Sequence, residues 1–150
     1  MERRKFLSLS GMAAFAAMAP AALNAEDFRA SKPDVWTSHT VDDSIKKMYG
    51  DITLVEEGVS LKAPDVAANG GAIPVKFGTK IDAKTIAMFQ DANPESAVMV
   101  CTVHPNSVVD YEIKIKMKAS GTITIVVEGK DGKFYAAKKT LEVALGGCEG

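Results

Sequence analysis

The sequence predicts an all-β fold: an immunoglobulin-like antiparallel β-sandwich with a short N-terminal helix and a flexible C-terminal arm. Six runs alternate apolar and polar residues with a period of two, separated at short intervals by Gly, Pro, Asn and Asp clusters. No second long helical pattern interleaves with them, which argues against a parallel, helix-covered sheet. The 150 residues fit one domain, and 18 basic against 19 acidic residues give a formal charge of −1. Nothing in that balance marks a nucleic-acid or membrane-surface binder.

Residues 1–25, "MERRKFLSLSGMAAFAAMAPAALNA", read as an export signal and stand outside the fold. Arg3, Arg4 and Lys5 supply the charged start, an apolar run reaches Met18, and small residues lead to Ala25. The run is too short and too mildly apolar for a spanning helix. "RRKFL" resembles the twin-arginine motif, with Glu2 where Ser or Thr is usual. Cleavage is expected after Ala25, with Ala21 as the second choice, and the destination is the periplasm. The mature chain keeps 15 basic and 18 acidic residues and both cysteines.

"EDFRASKPDVWTSH" is a polar lead-in with one aromatic anchor, Trp36. A helix follows in "TVDDSIKKMYG". Thr40 caps it, Val41, Ile45 and Met48 share a face, and Gly50 stops it. The strand runs are "VSLKAP", "AIPVKFG", "SAVMVCTVH", "DYEIKIKMK", "TITIVVEG" and "KFYAAKKTLEVAL". In "DYEIKIKMK", Tyr111, Ile113, Ile115 and Met117 point one way, and Glu112, Lys114 and Lys116 the other. "DAKTIAMFQDANPES" carries competing patterns and is expected as a helical turn or a loop. "YAAKK" breaks the alternation, so a bulge is expected near Lys138 and Lys139. The sandwich thus spans residues 26–143 and the arm 144–150.

The two cysteines differ in kind. Cys101 shares a strand face with Met99 and Val103 and is expected as a small core hydrophobe, with a disulfide to Cys148 as the rival. "CTVH" invites a copper site, but Cys101 and His104 have opposite parity on one strand, so no metal is expected. Cys148 sits between Gly147 and Glu149, close to the terminal carboxylate. Those negative charges oppose thiolate formation, and neither histidine lies near it in sequence. The thiol is placed for delivery, and no catalytic residue is assigned. Gly146, Gly147 and Gly150 remove side chains around it and serve as the hinge of a slim arm. An exported module whose tail cysteine forms an intermolecular disulfide is the alternative.

The ending resembles the Gly-Gly-Cys-Gly-Gly terminus of the SoxY family, the sulfur-compound carrier subunits of the Sox thiosulfate-oxidation system. "DDSIKKMYG", "LKAPDVAANGGAIPV" and "GKFYAAKK…GGC" extend the resemblance over most of the mature chain. Glu149 stands where the family has glycine, and Cys101 lies outside its pattern. The resemblance implies an immunoglobulin-like sandwich paired with a second β-sandwich subunit, SoxZ. It implies that a c-type cytochrome joins thiosulfate oxidatively to Cys148. A hydrolase then releases sulfate, and other enzymes oxidise or transfer the remaining sulfane sulfur. No cofactor beyond the covalently bound sulfur is implied. A stable partner needs an apolar face, and one candidate is the outer face of "TITIVVEG" with Thr122, Thr124 and Val126. The alternative is that this face belongs to the sandwich core.

Overall fold

The structure, a computed structural model, describes residues 25–144. Helix α1 (Phe28–Ser31), a 3-10 turn (Pro33–Thr37) and helix α2 (Val41–Tyr49) come first. Nine strands follow among the described residues. They are β1 (Leu54–Val55), β2 (Val59–Lys62), β3 (Val66–Ala67), β4 (Ile73–Thr79), β5 (Ala83–Gln90), β6 (Ala97–Thr102), β7 (Val109–Ile115), β8 (Gly121–Gly129) and β9 (Phe134–Val143).

Helix α2 forms where its signals lie. The Thr40 hydroxyl accepts from the Asp43 N–H at 3.2 Å, and Asp42 and Asp43 sit at the positive end. Lys46 and Lys47 sit in the last turn, and Gly50 closes the helix at φ 83°. The lead-in is more ordered than its polarity suggests. The Asp27 carboxylate caps α1, the Trp36 indole donates to the Phe28 carbonyl at 3.0 Å, and the Arg29 guanidinium lies over the Trp36 ring.

The strands make two sheets. The larger runs β1-β9-β8-β5-β6, with β3 also beside β9; the smaller runs β2-β4-β7. Pairing is antiparallel except for β1 and β3, which lie parallel to β9 at its two ends. The sandwich class is therefore as expected, with two short strands added at one edge. Between the sheets, Ile73, Val75 and Phe77 meet Ile86, Met88, Ile123, Ile125 and Val127. Each such side chain contributes on the order of 1.5–3 kcal/mol by leaving water.

The larger sheet is buried on both faces. On the side away from its partner sheet, Ala87, Phe89 and Val126 pack with Phe28, Val35, Ile45 and Met48 from the helical layer. This corrects the expectation about "TITIVVEG". Val126 is fully buried and Thr124 nearly so, under the chain's own helical layer, so that face is neither a free docking face nor part of the inter-sheet core. Tyr49 closes one end of the layer. Its hydroxyl meets the Thr85 hydroxyl at 2.9 Å, which donates to Glu128 at 2.8 Å.

Two further expectations fail for related reasons. "DAKTIAMFQ" is neither turn nor loop but β5, a central strand between β8 and β6. A strand buried on both faces loses its alternation, and Thr85 to Gln90 are all buried. The bulge expected near Lys138 and Lys139 is absent: β8 and β9 stay in one register from Gly121↔Leu141 to Glu128↔Phe134. The "AAKK" break reflects β9 changing neighbours at its outer edge, from β1 to β3. The shifts fall in β5, between Ala83 and Thr85 against β8 and between Met88 and Phe89 against β6.

Cys101 is a free, half-buried thiol packed against the inter-sheet core with Met99 and Val103, as its parity predicts. Burial pushes its pKa above the ordinary 9.0, partly offset by a backbone hydrogen bond from Ile86. The unfolded chain therefore releases this proton first as pH rises. The resulting stability is whole below the unfolded value and is lost as pH climbs from there through the folded value. Burial raises Tyr49 as well, so its contribution fades in the same direction at higher pH. The urea midpoint is expected to fall above about pH 8.5. Cys101→Ala, costing roughly 0.5–3 kcal/mol, should flatten the first part of that fall. An unchanged slope in the variant would refute this role for the thiol.

Candidate functional site

Cys148, Gly146, Gly147 and Gly150 lie outside the described residues, as does the export signal up to Asn24. What the structure provides is the root from which they extend. Strand β9 is held on both edges to its end. The Val143 N–H donates to the Ser120 hydroxyl at 2.9 Å, and on the other edge the Glu142 N–H donates to the Asp65 carbonyl at 2.8 Å. One residue on, the Ala144 N–H donates to the Ala67 carbonyl at 2.9 Å. The Lys139 ammonium hydrogen-bonds and pairs with the Asp65 carboxylate, holding that carboxyl below the usual range.

These contacts follow from the sequence between elements. The "KAPD" turn after β2 brings Asp65 to β3, and the turn before β8 presents Ser120. Sequence reasoning missed both residues, because neither carries chemistry and the two-residue β3 gives no periodic signal. Three residues lie between Ala144 and Cys148, and the four steps of chain span at most about 13–14 Å when fully extended. Val66, 59% exposed on β3 and paired with Glu142, is an apolar surface at that root.

Elsewhere the described residues offer little chemistry. A cleft of about 600 Å³ lies on the outer face of the smaller sheet. Lys62, Lys76, Lys80, Ser60 and Asp110 line it, with Lys76 and Asp110 paired at 3.4 Å, and it contains no cysteine or histidine. His39 is engaged by the Pro94 carbonyl at 2.8 Å, and His104 accepts from the Asn106 N–H at 3.3 Å. Among the described residues no three His, Cys, Asp or Glu side chains converge on a point that would hold a metal ion.

The family model for sulfur oxidation protein SoxY matches residues 45–148, from inside α2 to the cysteine itself. The chain belongs to the SoxY family. The sulfur carrier protein SoxY from Chlorobium limicola f thiosulfatophilum is similar in structure at 29% identity and a TM-score of 0.63. The match covers 77% of this chain and 99% of that one. A superoxide reductase (neelaredoxin) from Ignicoccus hospitalis matches at 15% identity and a TM-score of 0.53, over 59% of this chain and 81% of its own. That likeness is one of fold alone. No curated protein sequence matches the chain. The SoxY match ends on Cys148, so Gly146, Gly147 and Cys148 lie inside the matched segment.

Proposed function

We propose that the chain is a periplasmic carrier that holds thiosulfate-derived sulfur covalently on Cys148 and presents it to the enzymes of a sulfur-oxidation pathway. The observation that carries this reading is the SoxY match running through to Cys148. The root is consistent with it, since β9 is held through Ala144, four residues before Cys148, and Gly146 and Gly147 directly precede the thiol.

Loading joins the Cys148 sulfur to the outer sulfur of thiosulfate, giving a cysteine S-thiosulfonate. One thiol proton is released, and two electrons leave to a c-type cytochrome partner. Water then attacks the sulfonate sulfur in a hydrolase. The sulfur–sulfur bond to the sulfonate breaks, sulfate and a proton depart, and a persulfide stays on Cys148. That sulfane sulfur is oxidised or transferred by further enzymes. The protein supplies the tether and its partners supply the chemistry, so Cys148 needs reach and exposure more than a base. A SoxZ-like β-sandwich subunit is the stable partner, and the enzymes bind transiently. Val66 at the root provides an apolar contact for whichever protein receives the segment. No cofactor is required beyond the bound sulfur.

Glu149 places a charged side chain beside the thiol, where a narrow cleft must admit it. Glu149→Gly is expected to speed loading and release with purified partners. Unchanged or slower rates would show that Glu149 does not hinder. Intact-mass measurement of the protein from cells oxidising thiosulfate tests the whole reading. Reductant-labile increments of thiosulfate or sulfur atoms support it. A dimer-sized increment alone would favour a structural module with an intermolecular disulfide.

A further inference from the structure

The outer face of the smaller sheet carries positive charge that the fold does not use. Lys62 on β2 and Lys76 on β4 are register partners, directly opposite each other, and like charges so placed weaken a sheet. The Asp110 carboxylate on β7 engages Lys76 at 3.4 Å, and Glu112 stands opposite Lys76 on that same strand. Among the described residues no carboxylate pairs with Lys62 or with Lys80, just past the end of β4. Asp82, two residues from Lys80, is taken by Lys130 at 2.8 Å. Lys62 and Lys80 both line the cleft of about 600 Å³.

The shape of that cleft selects what it can hold. Gly78 leaves its floor without a side chain. Both neighbouring ladders keep their register through Gly78, so it does not mark a bulge. A Cβ there would stand 2.8 Å from the Val109 carbonyl oxygen and 3.4 Å from the Ser60 hydroxyl. Val108, 83% exposed, adds an apolar wall. Lys76, the register mate of Lys62, and Lys80 lie four steps apart along the chain, about 13 Å when extended. That spacing suits two carboxylates of an extended segment. One water takes up about 30 Å³, so the cleft is many times larger than a tetrahedral oxyanion, and such an ion makes no use of Val108.

The chain as a whole is slightly acidic at −1, which disfavours a long polyanion such as nucleic acid and leaves the attraction local. The face also adjoins the root of the C-terminal segment. Lys62 lies three residues before Asp65, whose carbonyl accepts from the Glu142 N–H near the end of β9. We infer that the Lys62–Gly78–Lys80 cleft docks an acidic, extended surface segment of a partner protein, and that the partners concerned are the enzymes that receive Cys148. The site stands on the charge and shape of the cleft; only the identity of the partner rests on the carrier reading.

Two measurements on the mature chain keep those parts separate. In the first, the isotope-labelled protein is titrated with a short peptide of glutamates around one leucine, and separately with sulfate. Amides of Ser60, Lys62, Gly78, Lys80 and Val108 are expected to shift with the peptide, and salt should suppress the effect. Lys62→Gln combined with Lys80→Gln should raise the dissociation constant about tenfold or more with circular dichroism unchanged. Absent shifts, shifts that survive the double variant, or equal shifts with sulfate at the same concentration overturn the docking cleft. In the second, thiosulfate loading by the purified cytochrome partner is followed at low ionic strength. The double variant should lower kcat/KM about tenfold and leave kcat unchanged, the gap closing as salt rises. Lys46→Glu changes the net charge by the same amount in the helical layer, on the far side of the larger sheet, and should load like wild type. An equal loss in Lys46→Glu, or full efficiency in the double variant, overturns the assignment to these enzymes. Wild-type protein that never loads refutes the carrier reading itself, and the peptide titration then decides the cleft alone.

Discussion

Cys148→Ser is expected to reduce sulfur loading to background while leaving the unfolding midpoint and subunit pairing unchanged. The loss is complete because serine oxygen forms no sulfur–sulfur bond, and Cys101, the other thiol, is packed against the inter-sheet core. The fold is expected to be spared because the hydrogen bonds that hold the end of β9 among the described residues run through Ala144, four residues before the substitution. Loading assays with partner enzymes and a urea melt check both halves. Residual loading on the serine variant would move the carrier role to another residue, and a lost midpoint would show that the thiol belongs to the fold.

Phe89→Ala is expected to have the largest effect on stability. Phe89 is fully buried on the face of β5 that meets the helical layer, clustered with Phe28, Val35, Ile45 and Met48. Truncation removes an aromatic side chain from a site walled by a sheet on one side and helices on the other, where neighbours collapse poorly. A cost of about 3–5 kcal/mol follows, against about 5–15 kcal/mol for a whole domain. Urea denaturation measures it directly. A cost below about 1 kcal/mol would mean that the helical layer is not part of the folded unit. Hydrogen exchange adds a qualitative check: amides of α2 should lose protection before those of β8.

The parts legible in the sequence were those where one face of an element meets water. Strand β7 shows its alternation because Lys114 and Lys116 stand opposite Ile113, Ile115 and Met117. Helix α2 shows its cap and its stop because Thr40 and Gly50 do their work at exposed ends. Strand β5 was illegible because helices and the second sheet bury both its faces, which replaces alternation with a continuous run from Thr85 to Gln90. The covering of Val126 was hidden for a similar reason, since a strand does not declare what lies across its outer face. The proposed carrier thiol, Cys148, was readable as a candidate from residue type and neighbours. Its anchorage was not, because Ser120, Asp65 and Ala67 act through a turn and a two-residue strand.

Cleavage after Lys139 yields a peptide from Thr140 to Gly150 that contains Cys148 and excludes Cys101. Mass spectrometry of that peptide, from protein isolated without reductant from cells oxidising thiosulfate, bears most directly on covalent carriage. Carriage predicts a series of adducts on this peptide, the thiosulfonate and persulfides, that collapse to the free thiol on reduction and fade when thiosulfate is withdrawn. An unmodified peptide under active oxidation, or one found solely as a disulfide with Cys101, would contradict it.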